Sequence, residues 1–225
     1  MDIRTKRLKS IYPTAPFGVL KIGDFKPDKY DAFEKIRAEE ISKIIPRFKN
    51  YIRADFVKNN PICHYVKYFK KFKKTFILLQ QMESIFVKGL DFPAVPPAVD
   101  ALILAEMKHG LLVATFDIAK LQEPVFIDVA RGDESYISAN GKEITLKEGD
   151  IFIRDNEGVV LTHVYGQDMR TRVDGDSKDI MFVITGVEGI TVDKVETALK
   201  DILYYMKAFD KNILPEEFEV IGGKE

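Results

Sequence analysis

The hydrophobic pattern changes period partway along the chain. From Pro27 to Gly110, apolar residues recur at helical spacing; beyond Gly110 they come in short β-branched or aromatic runs divided by turn residues. Ahead of both, FGVLKIG (Phe17 to Gly23) reads as a short strand. Tyr30, Phe33, Ile36, Ile41, Ile44 and Ile45 then predict a helix that opens near Asp28 and stops at Pro46. A second helical stretch covers roughly Arg47 to Lys58, broken by Asn59-Asn60-Pro61. Tyr65, Phe69, Phe72 and Phe76 fall at i, i+4, i+7 and i+11, one stripe on a helix that continues through FILLQQMESIFVKG to Gly89. DFPAVPP is a rigid link, and VDALILAEMKHG is a further amphipathic helix closed by Gly110.

The runs LLVATFD, PVFIDVA, SYISA, KEITL, DIFIRD, VVLTHVY and IMFVITG predict strands. Asn140-Gly141 predicts a type I′ hairpin, and Lys147-Glu148-Gly149-Asp150 a second turn. TVDKVETALKDILYYMKAF is a long helix with Thr191 as N-cap and a core stripe of Val195, Leu199, Ile202, Leu203 and Met206; PEEFEVIGGKE adds a short strand. Helices and strands segregate along the chain, which predicts an α+β fold rather than a doubly wound sheet.

Composition narrows the chemistry. At 225 residues and 46% hydrophobic, the chain can bury a sizeable core. The single Cys63 excludes a disulfide framework and a cysteine-built zinc site, and His64, His109 and His163 match no metal spacing. Cys63 beside His64 is no catalytic dyad on sequence grounds, because helical neighbours point apart. No Walker or G-x-G-x-x-G loop is present. No apolar run approaches the ~20 residues of a membrane span. The basic N-terminus MDIRTKRLKS lacks the apolar core of a signal peptide, so the chain reads as soluble and cytoplasmic.

The net charge of −1 hides an asymmetry. Arg47 to Lys74 holds nine basic residues and one acid, a balance of +8 against −9 elsewhere. Lys67, Lys70, Lys71 and Lys74 lie mostly off the aromatic stripe and are candidates for phosphate contact; the competing reading is a solvated helix face. The second candidate is THVYGQDMRTRV, where Gln167, Asp168, Arg170 and Arg172 follow His163 and Tyr165. An arginine fork recognises carboxylate or phosphate, yet Asp168 could equally pair with Arg170 inside the loop. Extended, the two arginines share a face; in a curled loop they diverge.

The strand half resembles the B3/B4 domain of the phenylalanyl-tRNA synthetase β subunit, and is most similar to the free-standing B3/B4-domain proteins. The resemblance rests on Val99-Asp100 opening a helix, Gly110 through Phe116-Asp117 with Leu121, the turn Ala130 to Glu134, the Asn140-Gly141 hairpin, the strand Asp150 to Asp155, and the loop Gln167 to Val173. It covers about Thr75 to Phe209. It implies one B3/B4-like α+β domain over 1–225 with mixed or antiparallel sheets: a mainly helical N-terminal extension (1–74), a core (75–209) with a closing helix, and a tail (210–225). The synthetase domain is associated with tRNA and hydrolyses mischarged tRNA, using a histidine and a glutamate. The matching positions here are Ala114 and Val183, so that chemistry does not carry over. His163, Asp168 or Asp117 would have to replace it.

Three readings follow. The first is a stand-alone module that binds RNA, tRNA or aminoacyl-tRNA. The second is a trans-acting aminoacyl-tRNA deacylase with a rebuilt pocket. The third is a pocket for a small amino-acid-like carboxylate. No cofactor, metal, membrane or DNA partner is expected.

Overall fold

The computed structural model describes residues 3–28 and 30–223, so Met1 and Asp2 of the basic N-terminus and the last two residues of the tail lie outside it. The chain begins with β1 (Ile3–Arg4), α1 (Lys6–Ile11) and β2 (Phe17–Ile22). Helices α2 (Asp31–Ile44), α3 (Arg53–Phe56), α4 (Ile62–Lys71), α5 (Ile77–Met82) and α6 (Pro97–His109) follow. Next come β3 (Val113–Asp117), β4 (Val125–Val129), β5 (Ser135–Ile137), β6 (Glu143–Thr145), β7 (Ile151–Arg154), β8 (Val159–Thr162), β9 (Gly166–Gln167) and β10 (Ile180–Thr185). Helix α7 (Val192–Phe209) and β11 (Pro215–Ile221) end the chain.

The strands form an antiparallel sheet in the order β11-β2-β10-β3, a mixed sheet in the order β1-β4-β7-β8-β9, and the hairpin β5-β6. Among the described residues, only β1 and β4 run parallel. The fold is α+β, as the segregated pattern predicts. Strand β10 (IMFVIT) is buried at every position, which is why it lacks alternation and sits inside its sheet. Helices α6 and α7 pack on this sheet and on α2. The α7 stripe is buried at Val195, Leu199, Ile202 and Met206, with Leu203 at its half-buried margin. Each such side chain removed from water stabilises the fold by roughly 1.5–3 kcal/mol. Close approach is required at Gly18 of β2, where a Cβ would stand 2.6 Å from Val195 Cγ1. The strand expected at FGVLKIG, within the mainly helical N-terminal segment, is β2, an interior strand paired on both sides.

The two sheets are joined through α4. Its aromatic stripe is buried, and two tyrosines reach in different directions. Tyr65 Oη donates to Thr185 O at 2.8 Å, on the four-stranded sheet. Tyr68 Oη donates to Asp150 Oδ1 at 2.7 Å and accepts from Ile151 N–H at 2.6 Å, at the start of β7, the central strand of the five-stranded sheet.

Four local expectations are corrected. The long helix through Phe76 is interrupted: α4 stops at Lys71, and Lys73 takes a left-handed φ of 56°. Lys74 N–H returns to Phe69 O at 3.2 Å, a six-to-one closure of the Schellman type with lysine where glycine is usual. The stretch Arg47 to Lys58 contains a 3₁₀ turn (Ile45–Phe48) and the single turn α3, separated by Asn50 at φ 58°. The residue preceding α2 is Tyr30 rather than Asp28, with no side-chain cap. The Asn140-Gly141 hairpin forms, but Asn140 does not have positive φ; Gly141 does, at 77°. Gly141 N–H donates to Ser138 O and Ser138 N–H to Lys142 O, so the turn is a tight bend followed by a glycine bulge.

Candidate functional site

A cavity of about 780 Å³ opens where the two sheets and α6 meet. One wall is the α6 face carrying Val99, Leu102, Ile103 and Glu106, positions i, i+3, i+4 and i+7. A second wall is Leu112 to Thr115, entering β3. A third is the end of β8 and the turn after it, Leu161 to Gln167. Arg172 and Val173 line it from the loop, and Lys73, Lys74 and Thr75 from the turn that ends α4. Its size falls within the ~300–1,000 Å³ range of ligand pockets.

The cavity is polarised. Lys73, Lys74 and Arg172 line it and are exposed, so their charges stand at its rim. Lys74 Nζ lies 5.2 Å from the centre of the Tyr165 ring, a cation–π contact that holds the ammonium beside the opening. Among the described residues, no acid pairs with Lys73, Lys74 or Arg172. Inside lies Glu106, 6% exposed. Its Oε1 accepts from Val113 N–H at 3.0 Å, and no cation pairs with it among the described residues. Burial pushes its carboxyl up to about 8 against that single hydrogen bond, so it is largely neutral at pH 7.

The loop curls, and its two arginines diverge. Arg172 lines the cavity, its Nη1 reaching only Ala139 O at 3.4 Å. Arg170 does not line it. Its Nη2 bonds both oxygens of Asp155 at 2.9 Å, and its Nη1 donates to Lys120 O at 2.6 Å. Burial acts to raise Asp155, but the Gln122 N–H, the Arg170 guanidinium and the Gly158 and Glu157 N–H groups hold it below its usual value. The alternative of an Asp168–Arg170 pair is present as a long one, Nε to Oδ2 at 3.8 Å. Asp168 is buried and also accepts from the Thr171 N–H and hydroxyl. Gln167 lines the cavity and donates to Thr115 O at 2.7 Å, tying the loop to the edge of β3.

The three candidates for substitute hydrolytic groups are placed apart. Asp117 accepts from Ser177 Oγ and Ala119 N–H and lies 3.2 Å from Lys120 Nζ, away from the cavity. Asp168 closes its own turn. His163 borders the cavity, but neither ring nitrogen has a partner among the described residues and both are buried. The ring stacks on Phe17 and meets Tyr68 edge-on, and burial pushes its pKa down to about 3. Ala114 and Val183 are direct cross-strand partners in β3 and β10, so the two positions that the resemblance gives to a histidine and a glutamate form one apolar pair.

Of the other lysines, Lys67, Lys70 and Lys71 are exposed on α4 outside this cavity; Lys71 Nζ sits over the rings of Tyr12 and Tyr68. Three members of the basic segment are engaged within the fold: Arg47 with Lys108 O, Arg53 with Glu83 and Lys58 with Asp55. Cys63 is half-buried, and His64 packs against Gly189. No group of three or more metal-ligating side chains occurs among the described residues, and no described helix is long and apolar enough to cross a membrane. Sequence reasoning missed Glu106, Lys73 and the Tyr65 hydroxyl. The available signal for Glu106 was its position, a charge in register with Val99, Leu102 and Ile103.

The family model described as the B3/4 domain matches residues 64–220. The β subunit of phenylalanine–tRNA ligase from Thermotoga maritima is 24% identical over 125 residues, which covers 55% of this chain and 16% of that protein. Among solved structures, an N-terminal fragment of the phenylalanyl-tRNA synthetase β subunit from Pyrococcus horikoshii matches with a TM-score of 0.49 at 14% identity, covering 96% of this chain and 54% of that one. The chain thus spans less than two thirds of the length of either relative.

Proposed function

The chain belongs to the B3/4 domain family, and from that premise we propose that it binds RNA as a stand-alone module, with tRNA or aminoacyl-tRNA as the ligand class. The observation that carries this reading is the meeting of the basic segment with the cavity. Lys73 and Lys74, the last cations of the +8 stretch, share its rim with Arg172. A polyanion held on such a rim directs its terminal group inward. Lys67, Lys70 and Lys71 extend the cationic surface along α4 for further phosphates. The name of the Thermotoga relative, a tRNA ligase subunit, supports tRNA over other RNA. Binding is favoured over hydrolysis because Ala114 and Val183 carry no proton-transfer group, Asp168 and Asp117 are engaged by Thr171 and Ser177, and burial pushes the pKa of His163 down to about 3, too weak a base for the task.

The test is equilibrium binding of the purified protein to bulk tRNA at two salt concentrations. Neutralising about four phosphates predicts an affinity loss on the order of 100-fold between about 50 and 200 mM salt, through counterion release. Absence of binding at low salt overturns the reading. A thermal shift with a free amino acid in that case moves the conclusion to a small carboxylate held by Arg172. Turnover of mischarged tRNA at catalytic protein concentration moves it to the deacylase.

A further inference from the structure

One buried polar group lining the cavity is a carboxyl with no cation paired to it among the described residues. Glu106 is more than nine-tenths buried and lines the cavity among Val99, Leu102 and Ile103. Its one hydrogen bond, from Val113 N–H, uses a single oxygen. The nearest hydroxyl from α4, Tyr65 Oη, is committed to Leu112 N–H and Thr185 O. Rim and interior therefore offer a ligand different groups: Lys73, Lys74 and Arg172 attract an anion, and beyond them the Glu106 carboxyl lines the interior. Arg172 follows Thr171, which holds the Asp117 end of β3, whereas Glu106 holds the Val113 end. Four residue steps along the strand separate these ends, roughly 13 Å.

We propose that Glu106 is the specificity-determining residue of this cavity and receives a protonated amine of the ligand, the α-ammonium of an aminoacyl group when the ligand is an aminoacyl-RNA. This rests on the RNA reading above. An ammonium gains a charge-assisted hydrogen bond in a water-poor interior, and its charge offsets the carboxylate that forms. The empty site holds the carboxyl largely protonated at pH 7, so docking of the ammonium leaves a carboxylate and releases the proton to solvent. The other titratable groups bordering the cavity are Lys73, Lys74, Arg172, His163 and Tyr165. Among the described residues none of them is hydrogen-bonded or ion-paired to Glu106, and Tyr65 of α4, which burial and the Glu106 charge push up, is committed to Leu112 and Thr185.

The probes are a short RNA whose 3′-terminal amino acid is joined through a stable amide, and the same RNA with its amine acetylated. Wild-type protein is expected to bind the free-amine RNA about tenfold more tightly than the acetylated one, the effect of one charge-assisted hydrogen bond. Calorimetry in two buffers of different ionisation enthalpy should give about one proton released, for the free-amine RNA only. Glu106→Gln keeps an acceptor for Val113 N–H; it should bind the acetylated RNA like wild type, lose the preference and release no proton. Equal wild-type affinity for both RNAs, or a preference that survives in Glu106→Gln, overturns the assignment to Glu106 and leaves RNA binding standing. If neither RNA binds wild-type protein, the RNA reading falls, and this inference with it.

Discussion

The interior and the rim of the cavity use polar residues in opposite ways. Inside, Glu106 is neutralised by burial; behind the wall, His163 is held neutral as well, and Asp150 is pushed up to about 7 by the same cause. At the rim, Lys73, Lys74 and Arg172 keep their charges in water. The interior groups lower folding stability and make it depend on pH, because one protonation state is excluded from the folded protein. The rim groups add almost nothing to folding and are free to act on a ligand. Substitutions should separate the two regions in their effect on stability, large for interior groups and small for rim side chains, and in the salt dependence of affinity, which only the rim charges change.

The largest effect is expected at Glu106. Its folded pKa, about 8, lies above the 4.5 of an ordinary glutamate, so its contribution is complete below pH 4.5 and is lost as pH rises through 8. Glu106→Gln should therefore gain stability relative to wild type on going from pH 5 to pH 8, by on the order of 4 kcal/mol at one pKa unit per 1.36 kcal/mol. Urea unfolding at both pH values measures this; parallel curves for the two proteins would mean that water or a counter-ion keeps the carboxylate charged.

His163 runs the other way. Its folded pKa of about 3 lies below the ordinary 6.5, so its contribution is present above pH 6.5 and is lost as pH falls towards 3. His163→Leu should gain on wild type by on the order of 3 kcal/mol between pH 6.5 and pH 4. In wild type the slopes of Glu106 and Asp150 oppose that of His163 between about pH 4.5 and 6.5, so only the difference between variant and wild type isolates the imidazole. Acid unfolding followed by circular dichroism supplies it.

Arg170 is the control for the loop. Its type and sequence position match Arg172, yet its partner Asp155 has a side chain with no exposed surface. Arg170→Ala leaves that carboxylate with only backbone donors from Gln122, Glu157 and Gly158. A loss of about 2 kcal/mol is expected, less than for a fully orphaned buried ion. RNA affinity below the unfolding transition should be unchanged. A weakened affinity without loss of stability would show that Arg170 reaches the ligand.

Lys73 belongs to both regions. Its left-handed backbone turns the chain so that Lys73 and Lys74 meet the cavity, at a cost of about 1 kcal/mol for a residue with a Cβ. Lys73→Gly should raise stability by about that amount while removing one rim charge, so melting temperature and RNA affinity should move in opposite senses.

These cases also mark what the sequence made legible. Locally encoded features were readable: the continuous apolar run of β10, the Gly110 C-cap with its N–H on Glu106 O, the Thr191 cap of α7 and the site of the β5–β6 turn. Features set by distant packing were not. KYFKKFKK keeps helical spacing through the point where α4 ends, and the usual glycine signal is absent because Lys73 occupies its place. A glutamate on an amphipathic helix reads as solvated; Glu106 is buried because β3 and α4 close over it. The choice between Arg170 and Arg172 depended on Asp155, fifteen residues upstream of Arg170, whose burial no local pattern reports.

The smallest effect on stability, and the most direct test of the rim, comes from Arg172→Ala and Lys74→Ala. Arg172 makes one long hydrogen bond, to Ala139 O, and Lys74 an exposed contact with the Tyr165 ring. Removing such contacts should change folding stability by no more than about 0.5 kcal/mol. If both side chains hold phosphates, each substitution weakens tRNA binding across sequences and makes the slope of log affinity against log salt shallower by about one. The double variant should lose both increments, because the two residues approach the opening from different elements and share no partner. Variants that fold and melt like wild type but keep its full salt slope would mean that the ligand enters without touching the rim. The α4 face of Lys67, Lys70 and Lys71 would then be the remaining surface on which the positive charge of this segment could act.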